Sequence, residues 1–450
     1  MIFKARSIAG CLLFLGLVTV CSRCNHASAQ EIENGIVATP KVVRNEKGLY
    51  ELDTPRLTLV TDIPIDDELK SWPSLLEQSI EQWQLYFGVD AKRMAGLHVS
   101  AFLIGDRERL RQLGLLDGVP GFDEGYQFGN QIYLREQPTT YYRRHLFLHE
   151  ATHWIMWKLY GGAGAPWFME GMADLHGTHS MRDGVLKLGV LPSSPEQVSG
   201  WGRLRLIDDM LKRRLAPSMS EILAYGNDRT DHEIRYSWSW AACVFFTHHP
   251  KYGPILKELY SQRLDYSDSL SFEFKKRLGL EWDDVQMDWN AFVSDLDFGY
   301  DFERSMVIRS ARPAAKNLNQ GEFARIQLAS DRGWQSTGVI VEVGKPLRIS
   351  CSGGYIIRKT MGGASANWDA DPSGITYRYY RGNPLGCVIA SVVSKGELEQ
   401  TRRWQTIRIG GENVITTSNL GELFLKINEP SNELWNNAGE VSVEISVTKP

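Results

Sequence analysis

Histidine is scarce in this 450-residue chain, with ten in all, and cysteine is scarcer, with six. Neither charge predominates, since 50 lysines and arginines stand against 54 acids. Each shortage excludes something. The formal net charge of −4 lacks the basic surface on which phosphate binding leans, so nucleic acid is not an expected partner. Beyond the N-terminus there is no long apolar run, and 43% hydrophobic with 23% charged residues are ordinary globular values. Disordered, collagenous and multi-span membrane classes are thereby excluded. At roughly 150 residues per domain the length suggests two or three domains. No internal repeat or low-complexity block is visible. What the chain does have is concentration: five of the ten histidines fall between His145 and His179.

The first 29 residues read as a signal peptide. Lys4 and Arg6 precede an apolar run from Ser7 to Val20, and Ala27-Ser28-Ala29 offers a small-x-small cleavage pattern. The run is short for a membrane span. We therefore expect export, to the medium or to the periplasm and cell envelope, with cleavage near Ala29 and no transmembrane segment afterwards. A lipid anchor at Cys21 or Cys24 is the alternative, although Val20 and Arg23 stand where a small residue is expected. Cleavage removes Lys4, Arg6 and Arg23 and no acid, taking the net charge from −4 to −7. It also leaves only Cys243, Cys351 and Cys387, which is no disulfide framework. A Cys351–Cys387 bridge and three buried thiols both fit.

The remainder changes texture near residue 310. Arg56 to Val60, Leu97 to Ile104 and Gln131 to Leu134 read as strands, and Leu69 to Phe87 as an amphipathic helix. Residues 140 to 300 are helical, broken at Gly161-Gly162, Pro217 and Pro250. From Gln320 short strands dominate, including Gly338 to Val343, Leu347 to Cys351 and Val441 to Val447. Ser310 to Asn319 reads as a linker. The expected plan is an α+β domain over 30–310 and an all-β sandwich over 320–450.

The informative segment is His149-Glu150-Ala151-Thr152-His153. On a helix, positions i and i+4 share a face, so both imidazoles can meet one ion. Glu150, beside the first histidine, can take a proton from a water activated there. Composition alone predicts only about 0.03 such patterns in a chain of this make-up. The apolar flanks Leu146-Phe147-Leu148 and Trp154-Ile155-Met156-Trp157 suit a buried metal helix. A second helix is expected to start at Pro166 and to carry Glu170 and Asp174. Glu170 in that apolar setting is costly unless paired or metal-bound, which makes it the third ligand. Asp174, one turn later, can fix the tautomer of a ligand histidine. Three protein ligands and an open position mark a catalytic Zn2+ site. His145, His176 and His179 are expected to serve structure, and His248-His249 to end a helix.

The HExxH helix, the glycine turn and the Trp-Phe-x-Glu-Gly-x-Ala-Asp helix resemble the gluzincin metallopeptidases of the peptidase-MA type, over about residues 55 to 300. The resemblance implies a zincin-like catalytic domain, His149, His153 and Glu170 as zinc ligands, Glu150 as general base, and Asp174 behind the ligands. It also implies that Gln131 to Leu134 is an edge strand able to pair with an extended peptide. The group that stabilises the oxyanion is left unassigned, with Tyr236 or His232 as the candidate.

A second resemblance covers about residues 325 to 450. Trp334-Gln-Ser-Thr-Gly-Val339, Asn383-Pro-Leu-Gly386, Gly421 to Glu429 and Asn436-Asn-Ala-Gly439 are similar, in order, to the small calcium-dependent galactose-binding lectins of bacteria. It implies Glu429, Asn436 and Asn437 as ligands of Ca2+, with Glu429 where the family pattern carries Asp, and a glycan as a binding partner. The expectation for the whole is an exported zinc metallopeptidase acting on peptide or protein, with a glycan- or partner-binding sandwich. The alternative is a catalytically silent zinc- and carbohydrate-binding envelope protein.

Overall fold

The computed structural model describes residues 41–226, 231–261, 269–309, 315–359, 367–394 and 399–448. The expected signal segment, its cleavage point, Cys21 and Cys24 lie outside the described residues, as does the 310–314 part of the expected linker.

The α+β part begins with a six-stranded sheet. Its strands are β1 (Val42–Arg44), β2 (Tyr50–Asp53), β3 (Leu57–Thr61), β4 (Val99–Ile104), β5 (Gly125–Phe128) and β6 (Gln131–Arg135). They are ordered β1-β2-β3-β4-β6-β5, with β3, β4 and β6 mutually parallel. Parallel strands covered on both faces read as continuous apolar runs, and β4 does. Its Val99, Ala101 and Leu103 join the main helical core, while Phe102 and Ile104 join a smaller cluster on the other face.

One expectation is corrected here. Gln131 to Leu134 is not at the sheet edge, because β6 pairs with β4 on one side and β5 on the other. The edge is Gly125–Phe128. A tight turn at Gly129-Asn130, with Gly129 at φ +59, folds β5 back antiparallel onto β6. The half-exposed, glycine-led β5 carries too little apolar pattern to announce itself.

The helical layer packs on that sheet. Helix Thr140–Tyr160 is capped by the Thr139 side chain, which accepts from Tyr142 N, and it stops at Gly161 in the left-handed region. Helix Pro166–Gly177 starts on its proline, as expected. It crosses helix His232–His248 almost backbone to backbone. A Cβ on Gly171 would lie 2.4 Å from Ser239 O and 2.5 Å from Cys243 Sγ. That close approach brings the start of helix His232–His248 over Glu170. An unanticipated hairpin, His179–Arg182 with Val185–Leu188, follows the second helix.

After Phe323 the chain is β-rich. Phe323–Ala329, Glu440–Val447, Leu347–Ser352 and Glu412–Ile415 form a four-stranded antiparallel sheet. A second, five-stranded sheet is built on Val388–Val393, Gly421–Ile427 and Gln335–Val341. Leu328, Ile349 and Val443 of the first sheet and Val339, Leu425 and Ile427 of the second share one core. Glu440–Val447 alternates buried and exposed residues, as a strand with one wet face must. Cys243, Cys351 and Cys387 are free, buried thiols, so the bridge alternative is not adopted.

The two parts are joined through helix Trp282–Asp295. Its Met287 and Ala291 pack with Trp334, Ile389, Trp404 and Phe424 of the β-rich part. Trp289 Nε1 donates to Thr401 Oγ1 at 2.9 Å, and Ser294 Oγ accepts from Trp404 N at 2.8 Å. Buried Asp295 Oδ2 meets buried Lys426 Nζ at 2.6 Å, and its Oδ1 meets Nη1 of the exposed Arg381 at 3.0 Å. No helix among the described residues is long and apolar enough to cross a membrane.

Candidate metal centre

Helix Thr140–Tyr160 puts His149 and His153 on one face, and the turn at Gly161 sends the chain back so that Glu170 faces both. His149 Nε2 and His153 Nε2 are 3.2 Å apart. Glu170 Oε2 lies 3.2 Å from the first and 3.4 Å from the second. A tetrahedral ion with bonds of 2.0–2.2 Å sets its ligand atoms about 3.3–3.6 Å apart, so the triangle is close to the right size. Glu170 Oε2 is buried without an aligned hydrogen-bond donor, as a ligand oxygen would be. These three residues can hold a metal ion.

Glu150 projects from the next position of the helix and lies against β5. A Cβ on Gly125 would sit 2.4 Å from Glu150 Oε1, so the carboxylate occupies space that only glycine leaves open. Burial pushes its pKa up, with His149 and His153 opposing.

Behind His149 sits Asp174, fully buried. Its Oδ1 lies 3.2 Å from His149 Nδ1 and 3.1 Å from His145 Nε2. Arg203 grips both oxygens, with Nε 2.7 Å from Oδ2 and Nη2 3.3 Å from Oδ1. Burial alone would raise this carboxyl; Arg203 first, then the two histidines, hold it well below the usual range. An ionised carboxylate only accepts, so His149 presents Nδ1–H to it and keeps its Nε2 lone pair for the triangle. His145, His149 and Asp174 also lie within reach of one ion, but the Arg203 guanidinium already supplies a cation there.

Tyr236 and His232 are one turn apart at the start of helix His232–His248, and both line the cleft. The Tyr236 ring is 6.0 Å from that of His149 and 5.8 Å from that of His232. The Glu170 charge, then burial, push the tyrosine pKa upward, so its hydroxyl stays protonated. His176 and His179 do not join the site. His176 lies among Trp83, Tyr86 and Phe87. His179 stacks on Tyr141 with centroids 4.6 Å apart, its Nδ1 2.8 Å from Gly177 O. His248 ends its helix and stacks on Phe302. Two participants were not foreseen, Arg203 and Gly125. Neither carries a local signal, because each matters only through what the fold sets against it.

The cleft holding these groups has a volume of about 1080 Å3. The edge strand β5 lines it, and Trp157, Met169 and Pro166 add apolar surface.

In the β-rich part, Glu429, Asn436 and Asn437 are buried together. Asn437 Nδ2 donates to Ser330 O at 2.9 Å and also to Glu429 Oε2. One amide atom of Asn436 lies 3.0 Å from Ile357 O, 3.1 Å from Glu433 O and 3.3 Å from Asn437 Oδ1. An amide nitrogen fills that position as a donor; an amide oxygen fills it only with a cation among the oxygens. Glu429 Oε1 is buried without a partner, and burial pushes the pKa of the acid up to about 8.

Neither a protein-family model nor a curated protein matches the chain. Among solved structures it is similar to the N-terminal domain of EclA, described as a PllA-like lectin. Identity there is 17% over 28% of this chain and 96% of that one, with a TM-score of 0.21. It is also similar to IMPa from Pseudomonas aeruginosa, solved in complex with an O-glycopeptide. Identity is 12% over 57% of this chain and 25% of that one, with a TM-score of 0.16. At such scores neither likeness carries an argument about this chain.

Proposed function

We propose that the protein is an exported zinc metallopeptidase with a zincin-like catalytic part and a glycan-binding β-sandwich. The observation that carries the reading is the triangle of His149, His153 and Glu170 donor atoms, 3.2–3.4 Å on a side, with a buried Glu150 next to it. Two imidazoles and one carboxylate suit zinc among the common ions. Bound there, zinc supplies a Lewis acid for the scissile carbonyl and lowers the pKa of a water. Glu150 accepts the proton of the attacking water and later delivers it to the leaving amine. Tyr236, kept as the neutral phenol, donates to the oxygen on which charge develops. The free edge of β5 lies along the cleft and offers unpaired backbone groups to an extended peptide.

In the sandwich, the resemblance to the calcium-dependent lectins supports calcium, a hard ion that favours oxygen ligands, with Glu429, Asn436 and Asn437 as its side-chain ligands. Calcium there would present a site for sugar hydroxyls. The alternative is a silent binder of zinc and carbohydrate. Glu150→Gln separates the two: peptide cleavage should fall by about 10²–10⁴-fold with zinc content unchanged. A zinc-loaded wild-type protein that cleaves nothing in a broad peptide library would sink the peptidase reading.

A further inference from the structure

We propose that Arg203 is a positioning residue that sets the geometry of both a metal ligand and Tyr236. The proposal rests on the zinc-peptidase reading above and adds to it a residue outside the HExxH and Glu170 helices. Arg203 opens helix Arg203–Arg213 directly after Gly202, and its side chain runs inward, only 11% exposed. Two of its nitrogens engage the two oxygens of Asp174 at 2.7 and 3.3 Å, which fixes the rotation of the carboxylate as a single contact could not. The same Oδ1 is 3.2 Å from His149 Nδ1. The orientation of the imidazole, and hence the aim of Nε2 at His153 and Glu170, is therefore set two contacts away, at the guanidinium. The other aspect of Arg203 faces the phenol, with Cζ 5.6 Å from the centroid of the Tyr236 ring. One side chain, held by the start of a helix, thus spans the partner of a ligand and the ring of the tyrosine expected to act on the substrate. Without it, Asp174 would be a buried anion with only neutral donors, free to turn away from His149.

The arrangement demands arginine. A lysine brings the charge but neither the two-pronged grip nor a flat face for the tyrosine. The test uses the full chain and two variants, Arg203→Met and Arg203→Lys, with three readouts. Zinc affinity is measured by competition with a chromophoric chelator. The visible absorption of the Co2+-substituted protein reads ligand geometry without any hydrolysis. Cleavage of one good library peptide gives kcat and KM separately. Arg203→Met should bind zinc about 10–100-fold more weakly, with a shifted Co2+ band. Arg203→Lys should fall between that variant and the parent, losing kcat more than KM. If Arg203→Met does not fold, Arg203→Lys alone carries the comparison. A parent chain that binds neither Zn2+ nor Co2+ overturns the metallopeptidase reading and this proposal with it. A parent that binds both, alongside variants within twofold in affinity and with an unchanged Co2+ band, overturns only the role of Arg203.

Discussion

Two places in this molecule are proposed above to take a cation, and they are built in opposite ways. In the cleft, two nitrogens come from one helix at i and i+4 and one oxygen from the next helix. In the sandwich the proposed ligands are the side-chain oxygens of Glu429, Asn436 and Asn437, with the backbone carbonyls of Ile357 and Glu433 around the Asn436 amide. The charges behind them differ too. Asp174 in the cleft is neutralised by Arg203 in direct contact, while among the described residues Glu429 hydrogen-bonds the neutral Asn437 and feels Arg378 and Lys426 through space. The mixed nitrogen and oxygen set favours a borderline metal held by pre-oriented ligands. Oxygen ligands of the kind proposed for the sandwich favour a hard ion.

The sharpest way to break this comparison is to remove one ligand from each set. His153→Ala should take zinc content from about one per chain to near zero and abolish cleavage, leaving calcium binding intact. Asn436→Ala should do the reverse. Metal analysis after dialysis against each ion reads both, and either variant losing both ions would show that the two sites are not independent.

A smaller effect is expected where the backbone, not a ligand, shapes the cleft. Gly125→Ala places a methyl against Glu150 Oε1 and must push the carboxylate aside. A displacement near 1 Å costs about 10²-fold in rate. Zinc content should stay at the parent level, because His149, His153 and Glu170 are untouched. Steady-state kinetics with a metal assay decides it; a kcat within threefold of the parent would remove Glu150 from its assigned task.

These residues also mark how far a sequence can be read. His149 and His153 were legible because the helical period alone places them on one face. Glu170 was legible because Pro166 signals a helix start and an acid in an apolar helix needs a partner. The plan of an α+β part followed by a β-rich one was legible from the change in periodicity near residue 310. Arg203 was not, since nothing local says that a helix start 33 positions beyond Glu170 will face Asp174. The edge strand was misplaced by one hairpin, because β5 has one glycine and half-exposed side chains where a pattern is needed. Composition around 310–319 suggested a linker and said nothing of how the parts on either side of it meet. Asp295, Lys426, Trp289 and Thr401 join them, through contacts between residues more than a hundred positions apart. Long-range pairing of single polar side chains leaves no periodic trace.

The smallest of the expected effects separates the two regions by pH. No histidine follows His249 in the sequence, so histidine-linked acid sensitivity belongs to the α+β part alone. His176 is its clearest source. Both ring nitrogens are buried without a partner, with Tyr86 packed edge-on at 4.6 Å. Burial pushes its pKa from 6.5 down to about 3. The folded chain therefore keeps this ring neutral while the unfolded chain takes up a proton below pH 6.5. Stability from this group is complete above 6.5 and is lost progressively as the pH falls toward 3. At pH 5 the loss is about 2 kcal/mol. His176→Phe keeps an aromatic ring of similar shape and removes the titration. Urea unfolding at pH 7 and pH 5 should show the variant gaining on the parent only at the lower pH. A difference equal at both values would assign the effect to packing and remove His176 as a source of acid lability. His179, also pushed down to about 3, should leave a residual sensitivity in the variant that the sandwich does not share.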